Sequence, residues 1–306
     1  MKKKINVKNM KPLPLFLSDM LKGMFMGVAF IIPGFSGGSV AAILGIYEKL
    51  VGAIADILHS FKKSFITILP IFIGLCIGAV SLMFPLKWAL SAFAFPTVGL
   101  FVGLALGGLP AITEQTKGRI SLGNALSFLI PCAVAIALCF MPIAKDKELM
   151  ELGFSGYLLL FAVGILGSTA LVIPGISGSM ILLILGYYNP ILAVLTEKLL
   201  LGQDVGRALL VLGSVGLGIV VGFISISVIM KKLLTVARRS TFFAILGFII
   251  GSVPTIFVST AKDGGYTLAT LPSSPFYWVA TVCMIAVGLC ASLLLYFKSK
   301  NGKTEK

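Results

Sequence analysis

Eight long apolar stretches separated by short charged or polar connectors set the pattern of this chain. They fall near Met20–Tyr47, Ser64–Phe84, Phe95–Ile112, Leu122–Met141, Phe154–Leu195, Leu209–Met230, Thr241–Thr260 and Phe276–Phe297. Most approach or exceed the roughly 20 residues that a spanning helix needs. Two stretches differ, because each is interrupted by proline and glycine. The first holds "IPGFSGGSVAAILGIY" from Ile32 and the second "IPGISGSMILLILGYY" from Ile173. Met20–Tyr47 is too short for two full crossings and is broken in its middle at Pro33-Gly34 and Gly37-Gly38, where one continuous helix would fail. The pattern predicts a re-entrant hairpin, with half a helix entering, a turn at Ser36 and half a helix leaving. Non-helical backbone at that depth must be buried in protein or face a watery cavity.

The two motif copies lie 141 residues apart and agree at 9 of 16 positions. The duplication extends further. "GLCIG" at Gly74 matches "GIVVG" at Gly218, and "GLALGGLP" at Gly103 matches "GFIIGSVP" at Gly247, both at a spacing of 144, with Lys87 opposite Lys231. Three ordered matches at nearly constant spacing indicate two homologous halves, a feature typical of transporters. We therefore expect an all-α multi-pass membrane protein of two inverted repeats, each a re-entrant helical hairpin plus about three transmembrane helices. A basic segment 1–14 precedes repeat 1 (15–143, hairpin 20–47). Repeat 2 (153–298, hairpin 154–195) is followed by a basic tail, 299–306.

Composition agrees with that class. Of 306 residues, 58% are hydrophobic and 12% charged, and mean hydropathy is +1.06; a soluble domain of this length cannot hide that much apolar surface. The net charge of +14 reads as orientation and contact with anionic membrane lipids. Nucleic-acid binding is excluded for want of a soluble basic domain. Hairpins that return to their side of entry place 19 Lys and Arg on one side and 6 on the other, whereas single crossings give 17 and 8. Without the termini the splits are 9 to 6 and 7 to 8. The positive-inside rule thus favours hairpins modestly and places both termini in the cytoplasm. An odd number of crossings per half also inverts one half relative to the other. No cleavable leader is expected, since cleavage after the first apolar stretch would destroy one motif copy. The five cysteines lie in apolar segments without ligand-like spacing and read as buried thiols.

A half-helix beginning inside a membrane presents unpaired N–H groups and a positive dipole end. Ser36, Gly37, Gly38 and Ser39 open one such end; Ser177, Gly178 and Ser179 open the other. Facing each other, they would form an anion site suited to phosphate. Pro33 and Pro174 set the breaks, and Gly34 and Gly175 add accessible backbone. Few charges lie near. Lys22, Tyr47, Glu48, Tyr188, Asn189, Arg238 and Arg239 are candidates for head-group contact or coupling, with Asp19 a further ionisable candidate, against the plainer reading of interfacial anchors. His59 sits in a polar connector. "GFSGG" fits the G-x-S-x-G nucleophile elbow, but no strand or histidine partner accompanies it. A polyprenyl-pyrophosphate phosphatase of re-entrant type would need an arginine where Gly37 and Gly178 stand, and an acidic pair for metal. No catalytic residue, metal or cofactor is called for.

At these residues the chain resembles a known family. "MGVAFIIPGFSGGSVAAILGIYEKL" (Met26–Leu50), "VIPGISGSMILLILGYYNPIL" (Val172–Leu192) and the paired "GLALGGLP" and "GFIIGSVP" look like the PopT family, regarded as undecaprenyl-phosphate translocases. The resemblance covers residues 15–298. It implies a bacterial cytoplasmic-membrane protein that binds undecaprenyl phosphate, or a related polyprenyl phosphate, and returns the carrier to the inner leaflet for envelope polymer synthesis. A homo-oligomer is compatible with it. A transporter of a small soluble anion, the phosphatase and a non-transporting scaffold are the alternatives.

Overall fold

The computed structural model describes residues 13–31, 36–263 and 272–304. Among the described residues every regular element is helical. The first half comprises α1 (Leu13–Ile31), α2 (Gly37–Ile43), α3 (Tyr47–Ala55), α4 (Phe61–Ala92), α5 (Ala94–Thr113, continued by a 3-10 turn Glu114–Thr116) and α6 (Leu122–Phe140). The second comprises α7 (Phe154–Val172), α8 (Gly178–Ile184), α9 (Tyr188–Ala193, continued by a π-helical turn Val194–Leu200), α10 (Val205–Val236), α11 (Arg238–Asp263) and α12 (Pro275–Thr304). The halves repeat each other in order, and three helix pairs agree in length: α1 and α7 have 19 residues each, α2 and α8 seven, and α4 and α10 thirty-two.

Six helices (α4, α5, α6, α10, α11 and α12) are long and apolar enough to cross a bilayer, three in each half. The chain is a multi-pass membrane protein. The other elements form the interrupted stretches. In each, the short helix meets the next one at a sharp bend, 119° between α2 and α3 and 108° between α8 and the α9 segment. The cause is the same in both copies. Gly45 (φ 67°) and Gly186 (φ 76°) take the left-handed conformation that ends a helix. Gly45 N–H donates to Ala42 O (3.1 Å) and Ile46 N–H to Ala41 O (2.9 Å); Gly186 N–H and Tyr187 N–H do the same to Leu183 O and Leu182 O (3.0 and 2.8 Å). These paired bonds are the Schellman arrangement. The hairpin's second arm is therefore shorter than the pattern suggested, because "ILG" stops it two turns after the serine.

α1 likewise starts at Leu13, before the expected hairpin boundary at Met20. Asp19 lies inside the helix, 3% exposed, and accepts a 2.6 Å bond from Lys49 Nζ at the start of α3, so its charge need not stay in water.

Packing follows small residues. Within the halves α1 lies on α4 and α7 on α10; between them α5 lies on α12 and α11 on α6. A Cβ at Gly23, Gly27, Gly74 or Gly78 would stand 1.9–2.1 Å from a carbonyl oxygen of the partner helix. At Gly218 the same atom would meet Phe161 O at 2.1 Å, at Gly103 Ile285 O at 2.1 Å, and at Gly247 Phe128 O at 2.1 Å. Backbones that touch across such stripes replace the missing hydrophobic drive between helices in lipid. α5 and α11 form the enclosed centre, where Val98, Val102, Ile245 and Ile249 are buried in one core with Ala41 and Ile46.

Candidate functional site

Each broken stretch places its first motif serine just ahead of a short helix. Ser36 (φ −102°, ψ 126°) precedes α2 and Ser177 (φ −92°, ψ 121°) precedes α8. Both have the extended backbone of an N-cap residue, yet neither side chain caps its helix. The first-turn N–H groups of each helix thus have no partner within it. At seven residues apiece, α2 and α8 carry a small macrodipole, so local N–H and O–H groups are what these ends offer a ligand.

The two motif copies line one cavity of about 280 Å³. Ser36 and Gly37 come from the first copy, and Ile176, Ser177, Gly178 and Ser179 from the second. Ser177 and Ser179 hydroxyls lie 2.9 Å apart in a mutual hydrogen bond. Ser36 is 4% exposed and its hydroxyl makes no hydrogen bond. The sequence explains the contrast. Gly38 stands where the second copy has Ser179, so Ser36 lacks the neighbour that Ser177 has. Ser39 is also buried with an unpaired hydroxyl, but it does not line the cavity. Gly38, in the first turn of α2, is buried and does not line the cavity either.

The second copy's Gly175 has a positive φ of 87°, and a Cβ there would stand 2.5 Å from Phe248 backbone. It shapes the break and does not touch the cavity, and Pro174 does not line it either. Pro33 and Gly34 lie outside the described residues.

Of the charged and aromatic candidates, Tyr188 alone lines the cavity. Tyr47 is buried with its hydroxyl unpaired. Lys22 lies on α1, away from the cavity. Glu48 takes a bidentate grip from Arg238 at 2.6 and 2.7 Å, and Arg238 also reaches Gln115 Oε1 at 3.1 Å. Arg239 Nε donates to Thr116 O at 3.1 Å. Asn189, which occupies Glu48's place in the second copy, donates instead to Asp146 at 3.3 Å. Lys231 closes on Asp56 at 2.6 and 2.7 Å and holds that carboxyl below its ordinary range. These ion pairs lie at one end of the molecule and bridge α3 of the first half to α10 and α11 of the second.

The remaining cavity wall was not read from the sequence. Val163, Gly164, Gly167 and Ser168 of α7, Leu182 of α8, and Val215 and Ile219 of α10 supply it. Ser168 is fully buried and donates to Ile165 O at 2.9 Å. The cluster of small residues in "GILGS" was the available signal; it lies 141 residues after Gly23 and Gly27. Among the described residues, none that lines the cavity carries a formal charge.

A family described as undecaprenyl phosphate translocase-like (VCA0040-like) matches residues 26–267, a span that includes both motif copies and the whole cavity. The chain belongs to this family. Two curated relatives are similar over nearly their whole length. A polyprenyl-phosphate transporter of Staphylococcus aureus is 30% identical over 282 residues, 90% of this chain and 95% of the relative. A polyprenyl-phosphate transporter of Vibrio cholerae is 31% identical over 309 positions, 89% and 93% of the two chains. No solved structure matches.

Proposed function

We propose that this protein translocates undecaprenyl phosphate across the bacterial cytoplasmic membrane, returning the emptied carrier to the inner leaflet. The carrying observation is that one cavity gathers both copies of the Pro-Gly-x-Ser-Gly motif. The hydroxyls of Ser36, Ser177 and Ser179 and the first-turn N–H groups of α2 and α8 receive the phosphate head. A phosphate cannot enter hydrocarbon unaided. Neutral donors without a fixed cation replace part of its hydration while leaving it able to depart, which transport requires. The family match and the names of both relatives support a polyprenyl phosphate as cargo.

The path of the chain supports an inverted pair. Asp19 to Ile31 rises about 18 Å at 1.5 Å per residue, so α1 ends near mid-depth, and α2 with the corner after it returns the chain toward the level of Lys49, which meets Asp19. The second hairpin departs from the opposite end and returns there, where Ala144 N–H and Lys147 N–H bond the α8–α9 corner at Ile184 O and Gly186 O. The start of α1 and the end of α12 then share the Arg238 face, which we assign to the cytoplasm. Pairs bridging the two halves at that face, and the 37% exposure of Tyr188 on the cavity, favour access from the outer leaflet. Breaking Glu48–Arg238 and Asp56–Lys231 lets the site face inward.

The phosphatase alternative needs an arginine clamp and an acidic pair, and among the described residues the cavity lining offers neither. The test places purified protein in liposomes containing labelled undecaprenyl phosphate and follows its movement between leaflets. Movement that is lost in Ser36→Ala/Ser177→Ala supports the reading. Absence of protein-dependent movement, with or without an ion gradient, refutes it; release of inorganic phosphate would establish the hydrolase instead.

A further inference from the structure

The described residues hold two separate hydrophobic cores. The larger joins α1 to α5, α11 and the later part of α10, from Phe223 to Leu234. The smaller joins Leu149 of the 141–153 connector, Leu160 and Val163 of α7, Tyr187, Val194 and the first part of α10, from Ala208 to Val215. Polar bonds tie the connector into this smaller core. Ala144 N–H donates to Ile184 O at 3.2 Å and Lys147 N–H to Gly186 O at 3.0 Å, and Arg207 Nη1 donates to Met150 O at 3.3 Å. The cavity lies where the two cores meet. Val163, Leu182 and Val215 line it from the smaller one, while Ser36 and Gly37, at the head of α2, line it from the other side. α10 passes from one core to the other, and its far end stays with the larger core, since Asp56 holds Lys231 there at 2.6 Å.

At that junction α10 is weak. Residues 213–216 read Gly-Ser-Val-Gly. Ser214 Oγ donates to Leu210 O, one turn back, at 2.8 Å, a bond that tends to bend helices. A Cβ at Gly213 or Gly216 would meet nothing within 4 Å, so neither glycine serves close packing, as Gly218 does. Each nevertheless weakens the helix, and adjoining glycine and serine are a recurrent cause of kinks. At the 144-residue spacing of the repeat, α4 has Leu69-Pro70-Ile71-Phe72 instead. Pro70 is fully buried; it removes one ladder bond from the same turn while its ring restrains the backbone. Both halves therefore weaken this turn, one with a rigid residue set in the core and the other with residues free to adapt. We propose that residues 213–216 of α10 are a hinge, on which the smaller core and its connector rock as one lid over the Tyr188 side of the cavity. α7 carries Gly164 and Gly167 at the cavity wall and can follow. The geometry stands by itself; the purpose of the motion, loading and release of the phosphate lipid, rests on the translocase reading above.

The test measures the distance between nitroxide labels on Glu151→Cys, in the connector, and Ser91→Cys, near the end of α4, in full-length protein without native cysteines, reconstituted in lipid. Both positions are exposed. The comparison is with Gly213→Ala/Ser214→Ala/Gly216→Ala, which restores a strong helix where there is room for each methyl. With the native hinge the labels should give a wide or two-component distance distribution that undecaprenyl phosphate shifts. The alanine variant should give one narrow component that the lipid leaves in place. Its melting temperature should equal or exceed that of the wild type, so that unfolding does not account for the change. Its rate of undecaprenyl-phosphate movement between leaflets should fall by roughly fivefold or more, the weight of one glycine-to-alanine exchange in a helix. A variant distribution as wide as the native one and shifted equally by the lipid would overturn the hinge. So would a single narrow distance in the native protein that the lipid leaves unchanged, or native transport by the folded variant. Distances that vary with the native hinge and narrow in the variant, while no undecaprenyl phosphate crosses the bilayer with either protein, would keep the hinge and overturn the translocase reading.

Discussion

If the pairs at the α3 face hold the site closed there, weakening them should expose it from that side by a calculable amount. Glu48 and Arg238 are half-exposed, which places their pair among those worth about 0.2–1 kcal/mol. The two-pronged contact at 2.6 and 2.7 Å, with Gln115 fixing the guanidinium from a third side, points to the upper end. Losing ~1 kcal/mol changes a two-state ratio by roughly fivefold. Glu48→Gln should therefore raise exposure of the cavity to the α3 side by up to about fivefold. The assay uses Ser36→Cys in a background without native cysteines, sealed vesicles of known orientation and a membrane-impermeant maleimide applied to one side or the other. The ratio of labelling rates reports the equilibrium. Exchanging the charges with Glu48→Arg/Arg238→Glu should restore the wild-type ratio, because the pair is re-formed with its geometry reversed. Labelling from the α3 side that is unchanged in Glu48→Gln would refute the latch. So would a change that the exchanged pair fails to repair, since that would assign the effect to Glu48's other surroundings.

Two further outcomes test packing and charge. Gly218→Val should lower the melting temperature of the solubilised protein strongly, because its Cβ would sit 2.1 Å from Phe161 O and overpacking of this kind costs about 1–3 kcal/mol or more; Gly213→Ala, with nothing within 4 Å, should be neutral or slightly stabilising by helix propensity. Asp56 has its folded pKa depressed, first by the Lys231 hydrogen bond, so its contribution is present above the ordinary carboxylate range and is lost as pH falls through the folded value. Melting curves should then be flat with respect to this group between neutral and mildly acidic pH. Asp56→Asn should lower the neutral-pH melting temperature, and the two proteins should converge in strong acid.

The spans, the duplication and the breaks were legible because each leaves a local trace: apolar length, repeated glycine spacing, and proline beside glycine. Ser36 and Ser177 stand at the start of their helices because that trace is local too. The left-handed turns at Gly45 and Gly186 were equally present in "ILGIY" and "ILGYY", but glycine abundance in a membrane chain conceals which glycine bends it. The cavity wall was hidden for a different reason. In lipid both the buried and the outward faces of a helix are apolar, so hydropathy cannot separate Val215, which is buried, from Leu217, which is not. Pairings such as Glu48 with Arg238, 190 residues apart, and α5 with α12 arise from the exchange of helices between halves. No short-range pattern encodes that exchange.

The departure of the first motif from the second makes a last prediction. Ser36 is buried beside Gly38 with its hydroxyl unpaired, whereas Ser177 shares a 2.9 Å bond with Ser179. An unpaired buried hydroxyl costs about 1–3 kcal/mol. Replacing it by hydrogen removes that cost together with a donor for the ligand. Ser36→Ala should therefore leave the ligand-free protein as stable as the wild type or more so, while reducing phosphate-lipid binding and translocation. Ser177→Ala removes one partner of an existing pair and strands Ser179, so it should lower stability and binding together. Melting temperatures with and without undecaprenyl phosphate separate the two. If Ser36→Ala destabilises the free protein as much as Ser177→Ala does, the Ser36 hydroxyl is structural, and the asymmetry of the motifs has no bearing on cargo. A rise in free-protein stability with loss of the ligand-induced shift would mean that Ser36 is held unpaired for the phosphate.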